Sequence, residues 1–123
     1  MFDHIQIKVS DLNKSRPFYE AVLKTLGYKV VLEFEKVVGI GSNPHDMFEV
    51  AQASEETPIS LSVHIAFIAN GEEAVRKFHE TAIANGAKDN GSPGLRPEYE
   101  EGYYAAFVVD PDGHNLEAVF KHL

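Results

Sequence analysis

Residues 2–9 alternate, with Ile5, Ile7 and Val9 on one face and His4, Gln6 and Lys8 on the other, the two-residue period of a half-buried strand. Ser10 and Asp11 are helix-start residues. Phe18, Tyr19, Val22, Leu23 and Leu26 then recur at helical spacing until Gly27, which predicts a helix of about three turns. Pro17 falls inside that pattern and predicts a local distortion, because proline lacks the amide hydrogen of a helix bond. Residues 29–34, 37–41 and 47–51 read as short strands, separated by a charged Glu-Lys turn and by Ser42-Asn43-Pro44-His45-Asp46. Residues 53–60 are polar, contain a proline and read as a connector.

The pattern then starts again. Residues 61–69 predict a strand and 71–85 a helix with Val75, Phe78 and Ala82 on one face and Gly86 as its stop. At an offset of 60 residues, His4-Ile5 falls on His64-Ile65, Phe18 on Phe78 and Glu20 on Glu80. Such order points to one duplicated unit of strand, helix and further strands. The second half differs by residues 89–102, dense in Gly and Pro yet carrying Arg96 and Tyr99. That stretch predicts a long loop, either a surface excursion or a wall over a binding site. Residues 103–109 and 114–120 then predict two strands joined by an Asp-Pro-Asp-Gly turn.

Strand parity brings in the chemistry. The larger apolar side chains of four strands share one parity, which helices would cover, while His4, Glu49, His64 and Glu117 occupy the other. Burying any one of these groups alone is costly, whereas a shared divalent cation satisfies them together. Two neutral imidazoles and one carboxylate leave coordination positions open for a substrate. His45, His79 and His122 read as surface residues, and His114, of parity opposite to Glu117, as a turn residue that is not a ligand.

Composition narrows the possibilities. A chain of 123 residues with 44% hydrophobic content is long enough for one domain with a real core. Its net charge of −8 leaves little positive potential for phosphate backbones or anionic lipid, so neither nucleic acid nor a membrane is an expected partner. The absence of cysteine excludes disulfides, thiolate ligands and a Cys nucleophile, so any metal is held by nitrogen and oxygen. Without a basic leader or an apolar run of membrane-spanning length, a cytoplasmic location is expected.

The His4 strand followed by Val9-Ser10-Asp11-Leu12 and Phe18-Tyr19, the His64-Ile65-Ala66 strand, and Asp110-Pro111-Asp112-Gly113-His114-Asn115-Leu116-Glu117 together resemble the vicinal oxygen chelate superfamily, which includes glyoxalase I, fosfomycin-resistance thiol transferases, extradiol dioxygenases and bleomycin-binding proteins. The resemblance implies an α+β fold of two βαβββ modules forming a cup-shaped mixed sheet with helices on its outer face. The chain would be a single domain over 1–123, with module one about 1–52, connector 53–60 and module two about 61–123. It also implies a homodimer acting on a small-molecule substrate.

Residue by residue, the resemblance makes His4, His64 and Glu117 metal ligands, with Glu49 the additional carboxylate that glyoxalase I carries on its fourth strand. The ion would be zinc, nickel, iron, manganese or magnesium. As a Lewis acid it would stabilise an enediolate-like anion while Glu117 or Glu49 moves the proton of a hemithioacetal. A ferrous dioxygenase would keep only His4, His64 and Glu117 and draw on Tyr99, Tyr103 or Tyr104 nearby. A transferase for anionic substrates would use Arg96 and Lys8 as clamps, with Tyr99 in the substrate wall. A non-catalytic binder of the bleomycin-resistance type would need no metal ligands.

Overall fold

The computed structural model describes residues 1–122, so the expected end of module two at residue 123 lies outside the described residues. The chain divides into two compact units, Met1–Leu61 and Ser62–Leu123.

The first unit runs β1 (His4–Val9), α1 (Leu12–Lys24), β2 (Lys29–Phe34), β3 (Val37–Asn43) and β4 (Asp46–Gln52). Its four-stranded mixed sheet has the order β1-β4-β3-β2, with β1 parallel to β4 and the remaining pairs antiparallel. Asp11 caps α1 by accepting a bond from the Asn13 amide at 3.0 Å, and Gln52 Oε1 accepts the Leu12 amide at 2.9 Å. The helix then runs unbroken through Pro17 to Lys24, so the expected distortion does not interrupt it. Pro17 lies in its second turn, where the one missing amide costs little against the buried Phe18, Tyr19, Val22 and Leu23, each worth about 1.5–3 kcal/mol. Tyr19 meets Phe48 of β4 with ring centroids 5.5 Å apart, which assigns Phe48 and Val50 to the helix-covered face and Glu49 to the other. The connector turns back on β1, where the Lys8 amide donates to Ser60 Oγ at 2.9 Å and the Ser60 amide to the Lys8 carbonyl at 3.1 Å.

The second unit repeats the plan as β5 (His64–Ile68), α2 (Glu72–Ala84), β6 (Lys88–Leu95), β7 (Tyr103–Val109) and β8 (Asn115–Lys121). Its sheet order, β5-β8-β7-β6, matches that of the first unit element for element. Val75, Phe78 and Ala82 of α2 are buried, as are Leu116 and Ala118 of β8. Two expectations are corrected. The strand predicted over 61–69 is confined to His64–Ile68. The stretch predicted as a long loop instead supplies β6, an edge strand pairing with β7 through register shifts around Gly91. Gly and Pro disguise it because both are tolerated in a bulged edge, where a missing amide or side chain costs least.

Among the described residues no helix is long and apolar enough to cross a membrane.

Candidate metal centre

In the first unit, parallel pairing of β1 with β4 sets Gln6 beside Glu49 and His4 beside Met47, so His4, Gln6 and Glu49 share one sheet face. Glu49 is 6% exposed and accepts a bond from Gln6 Nε2 on Oε1 at 2.8 Å. His4 is exposed, and its Nδ1 lies 2.8 Å from Asp3 Oδ1. That bond, with the negative charge of Glu49 behind it, raises the His4 pKa above its ordinary value. Asp3 is lowered in turn by hydrogen bonds from His4 and from His45, whose Nδ1 lies 2.9 Å from Asp3 Oδ2.

In the second unit the corresponding pair is in contact. Glu117 is 2% exposed and its Oε1 lies 2.9 Å from His64 Nε2, while Tyr103 donates its hydroxyl to Oε2. Burial, then the hydrogen bond to Glu117, pushes the Tyr103 pKa well above the ordinary tyrosine range, so Tyr103 stays a donor. Around this pair lies an apolar cluster of Ala105, Phe107 and Val119, with Tyr103 packed on it. The face that carries Glu117 is therefore part polar and part apolar. Gly39 is the β3 neighbour of Glu49, whereas Phe107 is the β7 neighbour of Glu117, so the two halves are not chemically equal.

The other expected site residues divide. Tyr99 sits edge-on to Tyr103 at 5.4 Å and to Phe107 at 6.4 Å, on the same wall as Glu117. Arg96 lies 5.4 Å from the Phe107 ring, but its guanidinium donates to the Gly94 carbonyl at 2.8 Å and the Ser92 carbonyl at 2.7 Å. Those bonds brace the end of β6, and they leave Arg96 fewer donors for a substrate. Lys8 lies on the His4 face of β1. Tyr104 points to the helix side instead, where Arg76 donates to its hydroxyl at 3.1 Å. His79 is no surface residue: only 15% of its side chain is exposed, and it pairs with Asp89 at 2.8 Å because Asp89 lies on the neighbouring β6. His114 is fully buried. Asp110 accepts its amide at 2.8 Å and its ring Nδ1 at 2.9 Å, a pair that organises the turn before β8.

Two participants, Gln6 and Asp3, carried no site role in the sequence: Gln6 holds Glu49, and Asp3 holds His4. Tyr103, expected only as a neighbour of a ferrous site, holds Glu117. The hairpin register counted back from the Asp110 turn sets Tyr103 and Phe107 on the face of Glu117, a signal that could have singled out Tyr103.

Among the described residues no three His, Asp or Glu side chains gather closely enough to hold a metal ion, and neither unit by itself offers more than one His with one carboxylate on this face. The donor chemistry nevertheless suits a divalent ion. Imidazole nitrogen and carboxylate oxygen, brought together by the 2.9 Å hydrogen bond between His64 Nε2 and Glu117 Oε1, are the donor types that would hold such an ion.

Residues 1–118 match the family model described as Glyoxalase/Bleomycin resistance protein/Dioxygenase superfamily. The uncharacterized protein YqjT of Bacillus subtilis (strain 168) is 31% identical over 94% of this chain and 95% of its own. A crystal structure of a glyoxalase/bleomycin resistance protein from Albidiferax ferrireducens T118 is 30% identical, with a TM-score of 0.85, covering 97% of this chain and 98% of that one. An E144Q glyoxalase I mutant from Zea mays shares the fold at 23% identity and a TM-score of 0.73, over 94% of this chain and 45% of that one.

Proposed function

The chain belongs to the glyoxalase/bleomycin resistance protein/dioxygenase superfamily, and from that premise we propose that it is a divalent-metal-dependent enzyme of the glyoxalase type, moving a proton at a carbon beside an oxygen of a small substrate. The observation that carries the reading is the buried Glu117 carboxylate meeting the exposed His64 ring through Nε2. A half-exposed imidazole adds little stability to a buried carboxylate, and the open side of the pair suits a metal site that must admit substrate.

We assign His4, His64 and Glu117 as ligands, with Glu49 as the fourth ligand and second carboxylate. A divalent ion, when bound, supplies Lewis-acid polarisation of two neighbouring substrate oxygens. Gln6 and Tyr103 hold the two carboxylates in place. Glu117 carries a partner on each oxygen, whereas Gln6 donates to Glu49 on Oε1 among the described residues, so Glu49 Oε2 is the atom that takes and returns the proton. Tyr99 and Phe107 form an apolar wall that excludes water from the Glu117 side, with Arg96 and Lys8 flanking the substrate. We also assign a homodimer, tested by light scattering.

Turnover of the hemithioacetal of methylglyoxal and glutathione by nickel- or zinc-loaded protein tests the reaction. Loss of about a hundred-fold or more in Glu49→Gln is expected from removal of a proton acceptor, and activity equal to a His4→Ala control would remove the assignment. A second reading, ring cleavage with ferrous iron, has in its favour the Tyr103 hydroxyl beside Glu117. Oxygen consumption confined to the iron form would select it.

A further inference from the structure

We propose that Asp3 is a positioning residue for the metal centre: it holds the His4 proton on Nδ1, so that Nε2 presents its lone pair to the divalent ion, and His45 holds Asp3 in turn. The inference rests on the metal reading above and adds two residues to it. Asp3 Oδ1 lies 2.8 Å from His4 Nδ1 and Oδ2 lies 2.9 Å from His45 Nδ1, so one carboxylate faces two imidazoles through the same ring atom of each. An ionised carboxylate only accepts, so both Nδ1 atoms must carry hydrogen.

That arrangement selects the less common tautomer. A neutral imidazole left to water carries its proton mainly on Nε2, which would turn an N–H towards the ion. With the proton on Nδ1, the lone pair of His4 lies on Nε2. His64 meets its carboxylate, Glu117, through Nε2 instead, so the same rule puts the His64 proton on Nε2 in this structure and the tautomer set by Asp3 is particular to His4. Carboxylate partners of this kind fix ring orientation and increase ligand strength.

The trio is built rather than incidental. Parallel pairing of β1 with β4 brings the residues ahead of β1 beside the β3–β4 turn, and the Met47 amide donates to the Asp3 carbonyl at 3.2 Å. Within the turn, Asn43 Oδ1 accepts the His45 amide at 2.8 Å and Ser42 Oγ donates to Asp46 Oδ2 at 2.6 Å. These bonds fix the backbone from which His45 reaches Asp3.

Nitrogen-15 shifts of the imidazoles in metal-free protein, together with zinc titration, test the role. His4 in the wild type is expected to be protonated on Nδ1 and bare on Nε2 at a pH where it is neutral. Asp3→Ala should return it to the Nε2-protonated form and weaken zinc binding about ten- to a hundred-fold with an unchanged melting curve. His45→Ala should shift the tautomer balance in the same direction by less. A wild-type His4 protonated on Nε2, or Asp3→Ala binding zinc as tightly as the wild type, would overturn the role of Asp3 and leave the metal reading intact. Failure of the wild type to take up zinc, nickel or iron would overturn the metal reading and this role with it.

Discussion

His64 reaches Glu117 on a diagonal: the register partner of Glu117 on β5 is Ala66, yet the His64 Nε2 spans the step and stops 2.9 Å from Glu117 Oε1. The small Ala66 side chain leaves the space that the imidazole crosses. Tyr103 does the same from β7, whose register partner on β8 is Lys121, four residues beyond Glu117. Glu117 is thus gripped from both neighbouring strands.

Replacing Tyr103 by Phe keeps the ring against Phe107 and Val119 and removes only the donor to Glu117. A loss of about 1–2 kcal/mol in urea denaturation is expected. The folded state also keeps the Tyr103 proton above the ordinary value of 10.0, where the unfolded chain releases it. The stability from this group is therefore complete below about pH 10 and lost as pH rises further. In chelator-treated protein, Tyr103→Phe should show a shallower alkaline decline than the wild type; parallel declines would show that Tyr103 does not carry it.

Gly91 joins the edge strand to the site. Its φ of +151° is strained for any side chain, and a Cβ there would lie 2.9 Å from the Phe107 ring and 3.1 Å from an Arg96 nitrogen. Gly91→Ala should cost about 1–3 kcal/mol and displace Phe107, the β7 neighbour of Glu117. Ring-proton shifts of Phe107 and Tyr99 are the readout, and unchanged shifts would contradict the packing described.

Asp89 on β6 is held below the usual carboxylate value of 3.8, first by His79 and then by the Gly91 amide. Folding thus favours its charged form, and the associated stability is present above about pH 4 and lost as acid protonates the group. Carbon-13 titration should give Asp89 a midpoint below 3.8 that moves back towards it in His79→Phe. An unmoved midpoint would separate the two residues.

Much of this was legible in the chain. Alternation in β1, β4, β5 and β8 put His4, Glu49, His64 and Glu117 on the face away from the helices because strand side chains have a strict period of two. The offset between His4 and His64 showed the repeat. Strand β6 was not legible, since Gly91, Pro93 and Gly94 carry turn composition into an edge position where pairing alone makes the strand. The partners of the candidate ligands were hidden for another reason. Asp3–His45 and Tyr103–Glu117 are contacts across strands or turns, set by register, and periodicity within one strand carries no information about them.

The central claim is that His64 and Glu117 are metal ligands rather than a closed ion pair. Metal analysis of protein purified without chelators, beside the Glu117→Gln variant, tests it most directly. About one divalent ion per chain, retained by the wild type and lost from Glu117→Gln without unfolding, is the predicted result; equal metal content in the two proteins, or none in the wild type under any loading, would contradict it.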